Sequence, residues 1–160
     1  MTADTPKRPL VLVVDDEMHL RLFIKAVFES GGYNVGTAKN GKEGLAWIRT
    51  NRPDLVSLDL MMPEQGGLRL LHELRNDPQL AHTKVMVVSA IDDATFAHAT
   101  AVVRSGAPGS TPMADGYVEK PPTAEAILSE ARRILDAAPR GPADSITREE
   151  ESHAEENHGR

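Results

Sequence analysis

Hydrophobic and polar residues alternate along the chain in blocks whose spacing predicts five strands, each followed by a helix. Short apolar runs predict strands at 10–14, 35–38, 54–58, 85–88 and 117–118. Apolar residues at helical spacing predict a first helix that ends at Gly31-Gly32, and further helices over 42–50, 68–75, 92–105 and from Ala124 to Leu135. This alternation is typical of an α/β fold with a parallel sheet covered by helices on both faces.

The same pattern predicts one domain with a flexible segment at each end. Residues 9–137 carry the alternating blocks, and residues 1–8 precede them as a flexible N-terminus. Residues 138–160 show no periodicity. From Pro139 to Arg160 they contain three Arg against one Asp and five Glu, which predicts a disordered acidic tail.

Composition excludes several classes of protein. The chain has 160 residues, 40% of them hydrophobic, a net charge of −6 and no cysteine. Negative charge argues against nucleic acid as a direct partner, and a chain without cysteine forms neither disulfides nor thiolate metal sites. The N-terminal MTADTPKRP lacks the apolar core of a signal peptide, and the longest clean apolar run, 10–14, is far shorter than the roughly 20 residues of a membrane span. We therefore expect a cytoplasmic protein without membrane insertion.

Polar side chains follow four of the five predicted strands. Asp15 and Asp16 come after the first strand, Asp59 after the third, Ser89 after the fourth and Lys120 after the fifth. Ligands of open α/β sheets bind beyond the carboxyl ends of the strands, so these side chains are expected to lie together. Each alone has an ordinary explanation, such as a helix cap, an Asx turn or a solvated cation. Their combination at one edge favours a functional site, and the second strand, which lacks such a residue, is expected at the sheet margin.

Clustered carboxylates predict a metal site and a covalent reaction. Two carboxylates a few ångströms apart repel by about 4 kcal/mol at an effective dielectric constant of about 20, so three of them require a cation. Mg²⁺ fits, because it binds through one or two carboxylates together with phosphate oxygens. An aspartate can also attack phosphorus to give an aspartyl phosphate. Asp59 is the best placed nucleophile, which leaves Asp15 and Asp16 for the metal.

Four motifs, VVDDE, LDLMMP, VVSA and YVEKP, together resemble the receiver domain of two-component response regulators, of the stand-alone chemotaxis-regulator type. The resemblance covers about residues 9–137. It implies a flavodoxin-like, doubly wound sheet of five parallel strands in the order 2-1-3-4-5, with helices on both faces.

The resemblance also implies roles for the residues at the strand ends. Asp59 resembles the phosphoacceptor of phosphorelay signalling and Lys120 the lysine that faces it. Asp16, Asp59 and the backbone carbonyl of Met61 resemble the Mg²⁺ ligands, with Asp15 in the same acidic pair. Such receivers are signalling proteins that catalyse only their own phosphorylation and dephosphorylation.

Partners and switch residues follow from the same resemblance. Family receivers take the phosphoryl group from a histidine kinase or a phosphotransfer protein. Ser89 resembles the switch hydroxyl, which moves toward the phosphate, and Tyr117 the aromatic that turns inward. These movements repack the face made by the fourth helix, fifth strand and fifth helix, where a downstream protein target is expected to bind. Homodimer formation is left open, and the Lys120-Pro121 peptide is often cis in relatives.

Three local features need separate interpretation. After Leu135 the chain has only the acidic tail, which predicts a stand-alone receiver acting by protein contact. PGSTPM at 108–113 looks like an insertion before the fifth strand, and its composition predicts an exposed loop that modifies partner recognition and leaves phosphorylation intact. The Met-Met-Pro run after Asp59 is either an apolar lip of the site or ordinary core filling.

Two other functions stay open. One is a phosphorylation-independent receiver that binds its partners constitutively, although that class usually loses an acidic or lysine position and none is lost here. The other is a phosphohydrolase of the haloacid-dehalogenase type, which also uses an aspartate nucleophile and Mg²⁺. Those enzymes carry a D-x-D pattern after the first strand, where this chain reads Asp15-Asp16-Glu17.

Overall fold

A computed structural model describes residues 5–90, 94 and 113–139 of the chain. The predicted helix at 92–105 (apart from Ala94), residues 108–112 of the predicted insertion and the tail from residue 140 onward lie outside the described residues. Within the described part, the remaining predicted elements all occur, and their ends differ from the predictions by a few residues at most.

The described residues form five strands and four helices. The strands are β1 (Leu10–Val14), β2 (Asn34–Ala38), β3 (Leu55–Leu58), β4 (Lys84–Ser89) and β5 (Gly116–Glu119). The helices are α1 (Met18–Ser30), α2 (Gly41–Asn51), α3 (Gly66–Asn76) and α4 (Ala124–Asp136), and α3 is preceded by a 3-10 turn over Pro63–Gln65. The fifth helix predicted from the sequence is therefore labelled α4 here.

The strands form one parallel sheet in the order β2-β1-β3-β4-β5. Val14, the last residue of β1, pairs with Ala38 and Leu58, and Leu58 pairs with Val87. The predicted order is confirmed, and β2 lies at the margin as expected. This register brings the carboxyl ends of β1, β3 and β4 to one edge of the sheet, with β5 beside β4.

Apolar layers cover both faces of the sheet. On one face, α2 and α3 pack their buried side chains against Val56 and Leu58 of β3. On the other, α1 and α4 pack against Leu55 of the same strand. Burial on both faces explains why the strands read as unbroken apolar runs. In the described part of the chain, no helix combines the length and the apolar character that a membrane crossing needs.

Side-chain caps begin two of the helices, and the predicted glycine stop ends a third. Asn40 accepts a hydrogen bond from the Glu43 amide at 2.8 Å at the start of α2, and Thr123 accepts one from the Ala126 amide at 3.1 Å at the start of α4. Helix α1 stops at the glycine pair, where Gly32 has a φ of 89°, a conformation that glycine adopts at little cost.

Arg75, near the end of α3, ties three distant segments together. Its side chain is only 11% exposed. It donates to the carbonyls of Ala81 (3.1 Å), Thr83 (2.7 Å) and Met113 (2.6 Å), and its Nη2 lies 3.3 Å from Asp115 Oδ2. The guanidinium therefore fixes the entry to β4 and the entry to β5 with one planar group.

Met113, the last residue of the predicted insertion, is not part of an exposed loop. It is 8% exposed and packs in the core on the side of α2 and α3. Besides the bond from Arg75 to its carbonyl, the next turn is held by Asp115, whose amide donates to the Val85 carbonyl and whose carboxylate accepts from the Val85 amide, each at 2.8 Å. The prediction of an exposed loop is therefore wrong for Met113, because this position closes the core directly before β5.

We expect Arg75→Met to destabilise the fold by about 3 kcal/mol, because it leaves the partly buried Asp115 carboxylate without this ion pair and three carbonyls without the Arg75 donor. Arg75→Lys is expected to recover only part of this loss, since one ammonium cannot replace the fork of donors. The matched control is Arg49→Met, which removes an exposed ion pair to Asp77 and should cost less than about 1 kcal/mol. Urea unfolding of the three variants measures the difference, and equal losses for Arg75→Met and Arg49→Met would contradict the network.

Candidate functional site

Two buried carboxylates occupy the carboxyl edge of the sheet. Asp15 follows β1 and Asp59 follows β3, and the residues are 2% and 3% exposed. The Asp15 amide donates to Ala38 O at 3.2 Å and the Asp59 amide to Val14 O at 3.0 Å, so each residue continues the sheet by one step. With the exposed Asp16, they place one carboxylate oxygen each within 4.8 Å of one another.

Lys120 supplies the positive charge at this edge. Its Nζ lies 3.2 Å from Asp15 Oδ2 and 3.1 Å from Asp59 Oδ2. The lysine follows β5, its amide donates to the Ser89 carbonyl at 2.9 Å, and the peptide to Pro121 is cis, as the resemblance implied. One ammonium therefore faces two buried carboxylates.

The second oxygen of each buried carboxylate closes a local turn. Asp15 Oδ1 accepts from the Glu17 amide and Asp59 Oδ1 accepts from the Met61 amide, both at 2.9 Å. The Asx turn that the sequence offered as an ordinary explanation for Asp59 is thus present. It does not compete with a functional role, because it fixes Oδ1 and leaves Oδ2 toward Lys120.

The pKa values of Asp15 and Lys120 are both raised above their ordinary values. Burial raises the pKa of Asp15, an effect that the Glu17 amide and Lys120 only partly oppose. Burial lowers the pKa of Lys120, but the Asp59 and Asp15 carboxylates outweigh it and leave that pKa above its ordinary value. Lys120 therefore stays charged at neutral pH, with three carboxyl groups close to this one ammonium.

The carboxylates fit a hard divalent cation. Among the described residues, Asp15 Oδ2 is a buried side-chain oxygen without a hydrogen bond of acceptable geometry, even though the Lys120 ammonium lies 3.2 Å away. That contact is an ion pair, and no other donor among the described residues reaches Asp15 Oδ2. An incompletely satisfied buried oxygen beside the oxygens of Asp16 and Asp59 matches the oxygen-only preference of Mg²⁺. The group of Asp15, Asp16 and Asp59 can hold a metal ion.

Ser89 and Tyr117 lie at the same edge and share one carbonyl. Ser89 is fully buried at the end of β4, and its carbonyl accepts both the Lys120 amide at 2.9 Å and the Tyr117 hydroxyl at 3.2 Å. The Tyr117 ring is partly buried against the core on the side of α2 and α3. The residues predicted at the ends of β1, β3, β4 and β5 thus lie at one edge of the sheet.

The two methionines after Asp59 take different positions. Met61 is 62% exposed, and Met62 is buried in the core with 6% exposure. Met61 therefore fits the interpretation as an apolar lip, and Met62 fits the interpretation as core filling. Other large exposed apolar side chains occur on the first turns of α1, where Met18, Leu22 and Phe23 are 43 to 54% exposed. This helix begins three residues after Asp15, and apolar surface therefore borders the carboxylate cluster.

Sequence reasoning missed two residues at the site. Arg21 of α1 donates to the Asp15 carbonyl at 2.8 Å and holds the loop after β1, and an arginine on an exposed helix face gives no signal of this. Gly67 in the first turn of α3 lies directly against the backbone of Asp59 and Leu60. The Gly66-Gly67 pair at a helix start was a signal that could have indicated a close approach.

Comparisons with known proteins agree on one family. The profile described as response regulator receiver domain matches residues 11–132. The chain is 34% identical, over 78% of its length, to "Probable transcriptional regulatory protein TcrX" of Mycobacterium tuberculosis and covers 49% of that protein. It is 33% identical, over 87% of its length, to "Response regulator MprA" of a Mycobacterium species and covers 61% of it. The chain therefore spans about half to three fifths of the length of these curated relatives.

A solved structure gives the same result for the fold. The receiver domain of the Francisella response regulator 1452 superposes with a TM-score of 0.65 at 33% identity, covering 80% of this chain and 97% of that one. The sheet order and the positions of the helices seen here are those of a receiver domain.

We expect Asp15→Asn to increase the free energy of unfolding in metal-free buffer by an amount on the order of 1 kcal/mol. The midpoint of thermal unfolding should rise accordingly. Because the folded protein raises the Asp15 pKa, Asp15 favours folding most when it is protonated, and this contribution is lost as the pH rises through that pKa. A neutral asparagine avoids the loss at neutral pH. The variant should also gain less stability than wild type when Mg²⁺ is added.

Asp16→Asn is the matched control, because Asp16 is exposed and its neutralisation should leave the metal-free midpoint within a degree or so of wild type. Differential scanning calorimetry with and without Mg²⁺ measures both variants. A lower metal-free midpoint for Asp15→Asn would mean that attraction to Lys120 outweighs the cost of burying the charge.

Proposed function

Because the chain belongs to the response regulator receiver domain family, we propose that it is a phosphorelay receiver that accepts a phosphoryl group on Asp59. The donor is a histidine kinase or a histidine phosphotransfer protein. One observation carries the proposal: the buried Asp59 carboxylate lies 3.1 Å from Lys120 Nζ and beside the oxygens of Asp15 and Asp16.

The residues present are suited to direct transfer. A carboxylate oxygen of Asp59 attacks the phosphorus, the phosphorus–nitrogen bond of the donor phosphohistidine breaks, and the imidazole leaves with its electron pair. Lys120 neutralises negative charge on the phosphoryl oxygens. The Met61 amide and Lys120 fix the orientation of the Asp59 carboxylate before the donor arrives, so little reorganisation is needed during the reaction.

Asp16, Asp59 and the Met61 backbone carbonyl are proposed to hold Mg²⁺, with Asp15 adding charge beside it. When bound, the ion offsets the charge of the clustered carboxylates and of the incoming phosphoryl group. The incompletely satisfied Asp15 Oδ2 supports a further cation at this edge, because three carboxyl groups lie close to the one ammonium of Lys120.

Exposed apolar side chains next to the carboxylates support docking of a protein donor. Met61 lies two residues after Asp59, and Leu22 and Phe23 lie on the helix that begins beside Asp15. Apolar side chains of this size at a site that must admit a phosphohistidine are consistent with burial against the donor. Small acyl phosphates need no such surface.

The output is proposed to pass through Ser89 and Tyr117 to the face of β5, α4 and the predicted helix at 92–105. The hydroxyl of Ser89 responds to the phosphoryl group, and Tyr117 is bonded to the carbonyl of the same residue. A groove of about 410 Å³ opens beside Tyr117 and is lined also by Glu119, Pro121 and Glu130. This groove is a suitable place for a downstream protein target.

We expect wild-type protein to gain one phosphoryl group on Asp59 when it is incubated with acetyl phosphate and Mg²⁺. Asp59→Asn removes the nucleophile and should lower labelling by about a hundredfold or more, and EDTA should lower it similarly. The matched control is Asp54→Asn at the opposite end of β3, where the carboxylate accepts from the Leu10 amide in an exposed position. Intact-mass spectrometry and mapping of the modified residue give the result.

The same samples separate the alternatives. A receiver that works without phosphorylation stays unlabelled and binds its partners equally with and without acetyl phosphate. A phosphohydrolase turns over a generic phosphate ester many times. Equal labelling of wild type and Asp59→Asn would refute the assignment of the phosphoacceptor.

We expect Leu22→Asp and Phe23→Asp to slow transfer from a phosphorylated histidine phosphotransfer protein by about tenfold, because each introduces a charge into the proposed docking surface. Acetyl phosphate labelling should stay at the wild-type rate. Ala46→Asp, on the exposed face of α2, is the control for a new surface carboxylate. Loss of both activities in the α1 variants would indicate damage to the acid cluster and would contradict a docking role.

A further inference from the structure

Helix α3 begins in direct backbone contact with Asp59. A Cβ atom added to Gly67 would overlap the Asp59 carbonyl oxygen and would lie 2.6 Å from Leu60 Cα and 2.9 Å from the Asp59 carbonyl carbon. Gly67 is itself buried. No side chain can be accommodated here by a rotamer change, because the atoms that it meets belong to the backbone.

The contacted peptide group also orients the Asp59 carboxylate. On its amino side, Asp59 is held in the sheet by the bond from its amide to Val14 O. On its carboxyl side, the chain continues through Leu60 to Met61, whose amide donates to Asp59 Oδ1 at 2.9 Å. A displacement of the Asp59 carbonyl and Leu60 therefore moves the Met61 amide, while the Asp59 Cα stays fixed by the strand.

The helix cannot easily move away instead. Leu70 and Leu71 in the next turn of α3 are buried at 2% and 0% exposure. The start of α3 also packs closely against α2, because a Cβ atom on Gly41 of α2 would overlap the Gly66 carbonyl oxygen. Close-packed cores transmit such displacements rather than absorb them. The loop after β3 is the part that must yield.

From these contacts we propose that Gly67 is a positioning residue for phosphoryl transfer. Its missing side chain lets α3 support the Asp59–Leu60 peptide, and this support holds the Asp59 carboxylate between the Met61 amide and Lys120. The inference rests on the proposed function of Asp59. Misplacing a reacting group by about 1 Å costs on the order of a hundredfold in rate, so a single methyl group at this position is a sensitive test.

The test compares Gly67→Ala with its neighbour Gly66→Ala. At Gly66 an added Cβ meets nothing closer than 3.7 Å, and the residue has helical angles, φ −57° and ψ −37°. Gly66→Ala should therefore label at the wild-type rate. Gly67→Ala should label at least about tenfold more slowly with acetyl phosphate at saturating Mg²⁺, and it should bind Mg²⁺ more weakly in titration calorimetry.

A control for general loss of stability is Ile48→Val in the core of α2, where burial is complete. This substitution removes one buried methylene and should lower stability, but it adds no atom that could press on the Asp59 loop, so labelling and Mg²⁺ affinity should be unchanged. If Gly67→Ala is labelled at the wild-type rate and binds Mg²⁺ with wild-type affinity, the proposal is overturned. The proposal is overturned equally if Ile48→Val slows labelling as much as Gly67→Ala does.

Two further outcomes are decided by the same set of proteins. If Gly67→Ala does not fold, Gly41→Ala is measured instead, because its added methyl group would press on the same turn through Gly66. Slowed labelling of Gly41→Ala supports the proposal, and labelling at the wild-type rate overturns it. If wild type itself is not labelled, the proposed function fails while Mg²⁺ titration still tests Gly67. Weaker Mg²⁺ binding by Gly67→Ala than by Gly66→Ala then supports only that Gly67 positions the Asp59 carboxylate, and equal binding overturns that as well.

Discussion

The confinement of two carboxylates and one ammonium at the end of a parallel sheet is the constraint on which the rest of this structure depends. Asp15 and Asp59 are almost completely buried, and Lys120 contacts both. With the exposed Asp16, three acidic groups face one base, and charges this close interact strongly even at an intermediate dielectric constant. The arrangement is unfavourable without a further cation, and that property suits a site that gains a metal ion and a phosphoryl group.

The sheet makes this confinement attainable because its parallel strands end side by side. Asp15 and Asp59 sit one step beyond β1 and β3, with amides that continue the sheet bonding to Ala38 and Val14. Apolar layers bury both faces, so the strands cannot slide to separate the charges. The fold thus holds in place a group of side chains that would disperse in a flexible chain, which is the usual relation between a rigid scaffold and a reactive site.

The sequence was most informative where the signal was local. Strand runs, helix stripes and the glycine stop after α1 predicted nearly every described element, and the positions of the acids and the lysine after the strands predicted the site. The resemblance to receivers supplied the strand order. What the sequence did not reveal depends on contacts between distant segments. Arg75 reaches Met113 and Asp115 about forty residues away, and no spacing rule relates them, so the burial of Met113 could not be foreseen.

Within the described residues, hydrogen bonds around β5 link the acid cluster to the surface. Lys120 and Tyr117 both donate to the Ser89 carbonyl, so a change at the lysine and a change at the aromatic ring meet at one peptide group. The Tyr117 amide in turn donates to Glu130 of α4 at 3.3 Å.

Glu130 is held by Arg133, which lowers its pKa below the ordinary value, and Arg133 also donates to the Asp115 carbonyl at 2.8 Å. Asp115 is also bonded to Arg75 and to Val85 of β4. The Tyr117 ring and helix α4 are therefore connected by hydrogen bonds to the same segments that position Lys120.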